Sequence, residues 1–237
     1  MFKLLFVYRS QIVSLIMVIS IIVMIISIHT EEKPSCVITQ DMVCRRNMCQ
    51  LLYAIQIYKE AHGNYPPLHL TNKNGVEMHS WRSLILPYLE CNEYDLTEPW
   101  NGPKNSILSN NVASLFRCPS DVGTEASTSY LMYNDMNKQE QTQSYVIIIE
   151  SYNSGVPVLK PEDISLCDIQ DESRTPYNEA QKKIPRGIHC VNGKTSYFHI
   201  GYIGSNMRLP KIISVDGTIK LSELHNIIEQ IISECEK

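Results

Sequence analysis

Residues Ile12–Ile28 read IVSLIMVISIIVMIISI, seventeen positions with no charge and three serines. As a helix rising 1.5 Å per residue this run spans roughly 26 Å, close to the hydrocarbon thickness of a bilayer. A helix that is apolar on every side has to be covered, by lipid or by a protein core. The uncharged stretch extends from Ser10 to Thr30, so a membrane span has slack. Lys3 and Arg9 precede it, and Glu31 and Glu32 follow it. The positive-inside rule then puts the N-terminus in the cytoplasm and residues 31–237 outside. A signal peptide shows a shorter apolar region and a small-residue cleavage site. The stretch ISIHTEEKP offers no such site. The expectation is a retained anchor over residues 1–30 that meets the membrane through residues 11–30. A cleaved signal and a buried core helix are the alternatives.

Residues 31–35, EEKPS, form a polar break with a proline and read as a hinge. Residues 36–237 then make one exported domain. Hydrophobic residues are 43% and charged residues 19% of the chain, which suits a packed core and argues against disorder. The net charge of −4 leaves no basic footprint for nucleic acid, so none is expected as a partner. Of the eight cysteines, no two stand in a C-x-x-C pair. That spacing supports neither a zinc ribbon nor a thioredoxin-like redox pair. In an oxidising compartment an even count points to disulfides, but the count alone fixes no connectivity.

The exported part reads as α+β. Over residues 36–61, Val43, Leu51, Leu52, Ala54, Ile55 and Tyr58 recur at spacings near three and four, which predicts a long amphipathic helix. Asp41 sits early, where the helix dipole favours an anion. Gly63 is a stop signal, and Pro66 and Pro67 forbid continuation. Residues 79–90 predict a short helix capped near Ser80 and bent or ended by Pro87. Residues 91–127 are rich in turn formers and read as loop. Residues 128–134 and 144–150 are strand-like. The second is unbroken apolar from Val146 to Ile149, as a central buried strand would be. Residues 151–190 are irregular, with a possible helix over 177–183. Residues 211–221 predict a hairpin around Asp216 and Gly217. Residues 222–234 close the chain as an amphipathic helix with Ser222 as its cap. Its stripe of Leu224, Ile227, Ile228, Ile231 and Ile232 is expected to pack in the core.

The chemistry-bearing residues form no known constellation. There is no H-E-x-x-H, G-x-S-x-G, phosphate loop or dinucleotide fingerprint. His62, His69 and His79 are spaced by seven and ten, which matches no metal template. A cysteine nucleophile needs a thiolate and a nearby base. Cys118 has Arg117 beside it and Asp121 close, yet a disulfide or a buried thiol is the plainer reading. Paired carboxylates such as Glu162 and Asp163 are expected to be solvated. His62 reads as a cap for the last carbonyls of its helix. No catalytic residue, metal or cofactor is expected.

Several blocks nevertheless occur together in order. Residues 44–67, CRRNMCQLLYAIQIYKEAHGNYPP, resemble the helix of the DUF1559 family, also labelled SBP_bac_10. That family is a group of bacterial, pilin-like exported proteins. The blocks HSWRSLILPYLE and EPWNGPKN, with Trp81, Pro87 and Trp100, are similar to two more of its motifs. FRCPSD, with Cys118, Pro119 and Asp121, matches a further one, and VDGTIKLSE resembles its terminal segment. The resemblance spans residues 44–223. It implies a pseudopilin-like fold in which a long helix lies on an antiparallel sheet, and it implies no reaction. His62, Gly63, Pro66, Pro67, Asp216 and Gly217 carry over as structural positions of the motifs. Cys44 and Cys118 fall in two separate blocks and are expected to pair, while Cys235 is expected to be free.

Two features depart from the family. Near Val7–Val13 the family's prepilin leader, a glycine followed by F-T-L-V-E, is missing, so the segment reads as a plain anchor. His199 and His189 lie farther from Asp216 than the family's usual histidine, and no role is carried onto either. The expected function is a membrane-anchored, non-enzymatic envelope or surface protein that acts in interaction, assembly or self-assembly. The alternative is a small-solute or glycan module on the outer face, with Trp81 and Trp100 as stacking surfaces.

Overall fold

The computed structural model describes residues 39–121, 126–134, 144–165, 189–191 and 195–237. The expected anchor, the hinge and the possible helix over 177–183 lie outside the described residues. Among those described, no helix is long and apolar enough to cross a membrane.

Helix α1 (Gln40–His62) starts where Thr39 turns its hydroxyl back to accept from the Met42 N–H at 3.3 Å. Asp41 lies in its first turn. Gly63 ends it at φ 81°, donating to the Lys59 carbonyl at 2.7 Å, and a side chain would resist that left-handed conformation. The buried positions Cys44, Asn47, Met48, Leu51, Leu52 and Ile55 step by three and four along one face. That face lies on the sheet.

Past the helix, β1 (His69–Thr71) and β2 (Glu77–Ser80) form a two-stranded hairpin. Helix α2 (Trp81–Ile85) follows, with Pro87 in the 3-10 turn Leu86–Leu89 behind it. Ser80 stands at the cap position, but its hydroxyl meets Ser83 Oγ instead of a backbone N–H. Helix α3 (Pro103–Val112) lies in the segment expected to be loop. Its sequence carries no apolar stripe. It is held by Asn105, fully buried, which accepts from the Asp95 N–H at 3.0 Å and donates to the Asp95 carbonyl at 2.9 Å. Glu98 Oε1 accepts from the Asn105 N–H at 2.7 Å.

The main sheet contains β3 (Tyr130–Asn134), β4 (Tyr145–Glu150), β5 (Ile164–Ser165), β6 (His189–Val191), β7 (Thr195–Gly204) and β8 (Lys211–Asp216). Its order is β5-β3-β4-β7-β6, with β8 also on β7. All pairs are antiparallel except β3 with β5. Strand β4 is buried at all six positions, as its unbroken apolar run predicts. Alternation splits its side chains. Val146 and Ile148 join the α1 core, while Ile147 and Ile149 join the core under helix α4 (Leu221–Cys235). The fold is therefore a sheet with a helix on each face.

The C-terminal segment corrects one expectation. β8 pairs with β7, from Tyr197↔Asp216 to Tyr202↔Lys211, and not with the residues after Gly217. Asp216 Oδ1 instead accepts from Thr218 N at 2.8 Å and Thr218 Oγ1 at 2.6 Å, a local turn that leads straight into α4. Only a few residues separate that turn from the helical stripe, so no second strand forms. Lys220, not Ser222, takes the cap position.

Candidate functional site

The most chemically loaded place in the molecule is a buried cluster between α1 and the sheet. Cys44 projects from the inner face of α1. Tyr130 opens β3, and Glu150 closes β4 as its direct cross-strand partner. Cys118 follows the 3-10 turn Ala113–Phe116. Its N–H donates to Ser129 Oγ at 3.0 Å, and Ser129 Oγ donates on to Asp121 Oδ2 at 2.7 Å. The backbone of Asp121 returns a bond to the Cys118 carbonyl at 2.9 Å. The motif FRCPSD thus folds into a tight cradle that aims one cysteine inward.

Cys44, Cys118, Tyr130 and Glu150 are each 0% exposed. The Cys44 thiol donates to Glu150 Oε1, and the Tyr130 hydroxyl oxygen lies 2.9 Å from Cys44 Sγ. Glu150 Oε2 accepts from the His199 N–H at 2.9 Å. The ligand atoms of Cys44, Cys118 and Glu150 all lie within 4.8 Å of one another. The two cysteines meet as thiols, and the described cysteines form no disulfide among themselves. Burial drives the Cys44 thiol far above its ordinary range, and the neighbouring Cys118 and Glu150 push it further the same way. The Tyr130 phenol is raised for the same reasons, burial first and then Cys44 and Glu150.

A second polar chain runs from this cluster to the surface. His199 is fully buried on β7. Its Nε2 lies 2.9 Å from Asp41 Oδ1 and its Nδ1 lies 3.1 Å from Ser214 Oγ. Tyr197 donates to the same Asp41 oxygen at 2.8 Å, and Arg45 Nη1 donates to Ser214 Oγ at 3.3 Å. His199 and Ser214 are cross-strand partners, so the strand register itself brings them together. Nothing local in the sequence announces this chain, because its members come from α1, β7 and β8.

A third constellation is a clamp. Arg82, fully buried, donates through Nη1 to Asp163 Oδ1 at 2.7 Å and through Nη2 to the carbonyls of Lys160 and Glu162 at 2.9 and 2.8 Å. Trp81 Nε1 adds a bond to Asp163 Oδ1 at 3.0 Å, and the Met132 N–H adds one at 2.8 Å. The Asp163 side chain is 7% exposed, which corrects the expectation of a solvated carboxylate. An irregular segment looks solvated in sequence, and only the fold reveals the cation that meets it. Burial raises the Asp163 carboxyl, and Arg82 opposes that rise.

The remaining motif positions are structural. Trp81 is fully buried, edge-on to Phe116 with ring centres 6.3 Å apart, and presents no free face for stacking. The Trp100 backbone N–H bonds the Met78 carbonyl at 2.9 Å. Pro119 and Asp121 shape the Cys118 cradle. His62 differs from its expected role: its Nε2 pairs with the Tyr88 hydroxyl at 3.0 Å and its ring stacks on Tyr58. His69 faces Glu77 at 3.4 Å and His79 faces Tyr94 at 2.7 Å, so the three neighbouring histidines take three separate partners. Below α3, Glu90, Cys91, Leu108, Asn111 and Leu115 line an open groove of about 370 Å³.

These features define a class: an α+β domain whose long helix covers one sheet face and seals a Cys–Cys–Glu cluster beneath it. Residues 41–155 match the model of SBP_bac_10, described as a protein of unknown function (DUF1559), which supports the resemblance to that family. The match runs from the start of α1 to just past β4, so it includes Cys44, Cys118, Tyr130 and Glu150. No curated protein and no solved structure matches the chain.

Proposed function

We propose that the protein is a membrane-anchored, pilin-like envelope or surface protein. Its domain stands outside the membrane and serves interaction or assembly, not catalysis. The observation that carries this reading is the uncharged run Ile12–Ile28, flanked by cations before it and carboxylates after it. The fold is consistent with it, since a long helix such as α1 laid on a mostly antiparallel sheet is a pseudopilin-like arrangement.

The polar groups at hand also favour a structural reading. In a serine hydrolase the nucleophile meets histidine Nε2 and the carboxylate meets Nδ1. Asp41, His199 and Ser214 have the opposite order, and Arg45 already occupies the serine oxygen. They brace α1 against the sheet.

Cell fractionation with external protease tests the proposal. The chain is expected in the membrane fraction, with residues 31–237 digested by protease added to intact spheroplasts. A chain recovered wholly in the cytosol, or protected until the membrane is lysed, overturns it.

A further inference from the structure

The geometry points to a metal site: Cys44, Cys118 and Glu150 bind one zinc ion inside the core. Three independent segments deliver these donors to one point, and the ligand atoms lie within 4.8 Å of one another. A tetrahedral zinc with Zn–S near 2.3 Å and Zn–O near 2.1 Å needs donors roughly 3.5–4 Å apart, which small rotamer shifts reach from here. The Tyr130 hydroxyl oxygen borders the cluster, 2.9 Å from Cys44 Sγ. Two sulfurs with oxygen suit zinc, whereas calcium and magnesium take oxygen sets.

The carboxylate is the observation that separates this reading from a disulfide. A disulfide would use the two sulfurs and remove the S–H that Glu150 Oε1 accepts. Glu150 Oε1 then loses that thiol donor. Buried charges are paired or coordinate metals. Here Oε2 is fixed by the His199 N–H at 2.9 Å and Oε1 faces the thiols, the pose of a monodentate ligand oriented by an outer-shell donor. Binding expels the two thiol protons. Two thiolates, one carboxylate and the dication leave one negative charge, which the His199 N–H and the Tyr130 hydroxyl face. The absence of C-x-x-C spacing is no obstacle, because no two ligands come from one loop. As each ligand is 0% exposed, the ion is captured while α1 docks and leaves only when α1 opens.

The test uses the full chain, purified anaerobically in detergent, with zinc and cobalt as probes. One zinc per chain is expected, retained against a chelator until the protein is unfolded. Refolding with cobalt should give the thiolate-to-cobalt absorption band, lost in Cys44→Ser and Cys118→Ser. Glu150→Gln should weaken affinity by more than about 100-fold, the upper end of what loss of an outer-shell partner costs. Should the serine variants fail to fold, cadmium NMR of the unaltered chain reports whether sulfur and oxygen both ligate. A Cys44–Cys118 disulfide in the unreduced peptide map overturns the proposal. So does a folded protein with free thiols and no ion, or an ion whose binding survives loss of both cysteines.

Discussion

At the scale of single residues, the least replaceable polar group outside the cysteine cluster is Asp163. One of its oxygens collects Arg82, Trp81 and the Met132 N–H. Asp163→Ala leaves a guanidinium that is 0% exposed without its counterion. Removing one partner of a buried pair costs about 3–5 kcal/mol. Urea unfolding is expected to show that loss as a lower midpoint at unchanged slope. A midpoint within error of the parent would mean that the carbonyls of Tyr130, Val158, Lys160 and Glu162 suffice to hold Arg82. This pair was not legible in the sequence. HSWR is a recognisable block, but its acid lies some eighty positions away in a segment without regular pattern. The same distance hides the cluster: Cys44, Cys118 and Glu150 lie in three separate stretches of sequence, and nothing local says that they meet.

At the scale of elements, legibility follows periodicity. Helix α1 and helix α4 declare themselves by stripes at helical spacing, and β4 by an unbroken apolar run. Helix α3 shows neither, because only Leu108 and Val112 of its ten residues join the apolar core, and Asn105 and Glu98 hold it by hydrogen bonds as well. Two glycines of β7 show how closely the helices approach the sheet, and no pattern in sequence marks them. A Cβ on Gly201 would come within 2.6 Å of Met48 Sδ and 2.9 Å of Leu52 Cδ1, under α1. One on Gly204 would come within 2.7 Å of the Cys235 carbonyl oxygen, at the end of α4. Side chains yield where backbone does not. Gly201→Ala is therefore expected to cost about 1–3 kcal/mol, the usual range for overpacking. Gly204→Ala is expected to cost more and to act locally. Amide exchange should quicken in the last turns of α4 and not in α1. Equal protection of both helices in the Gly204 variant would show that the contact relaxes freely.

At the scale of the whole molecule, both helices are tied to one strand by tyrosines whose protons must stay on. Tyr197 of β7 donates to Asp41 of α1, and Tyr202 of β7 donates to Glu234 of α4 at 3.0 Å. Burial and then the facing carboxylate push Tyr197 and Tyr202 up to about 12. Burial does the same for Tyr65, packed beyond the end of α1, which also stands at about 12. An unfolded tyrosine ionises near pH 10. These groups bind protons more tightly in the folded chain, so their contribution is full below about pH 10 and is lost as pH rises towards 12. An ionised Tyr197 or Tyr202 would also face a carboxylate it had been bonding. The molecule is thus expected to unfold in alkali as one step that frees both helices. Tyrosinate absorbance and far-ultraviolet circular dichroism, followed together from pH 8 to 12, check this. A share of the tyrosines should ionise only as helix signal falls. In Tyr197→Phe and Tyr202→Phe the stability at neutral pH drops by the lost hydrogen bond, about 1 kcal/mol, while its decline above pH 10 becomes shallower. Full ionisation near pH 10 with the helices intact would show that these hydroxyls are open to solvent and that the strand does not hold the layers through them.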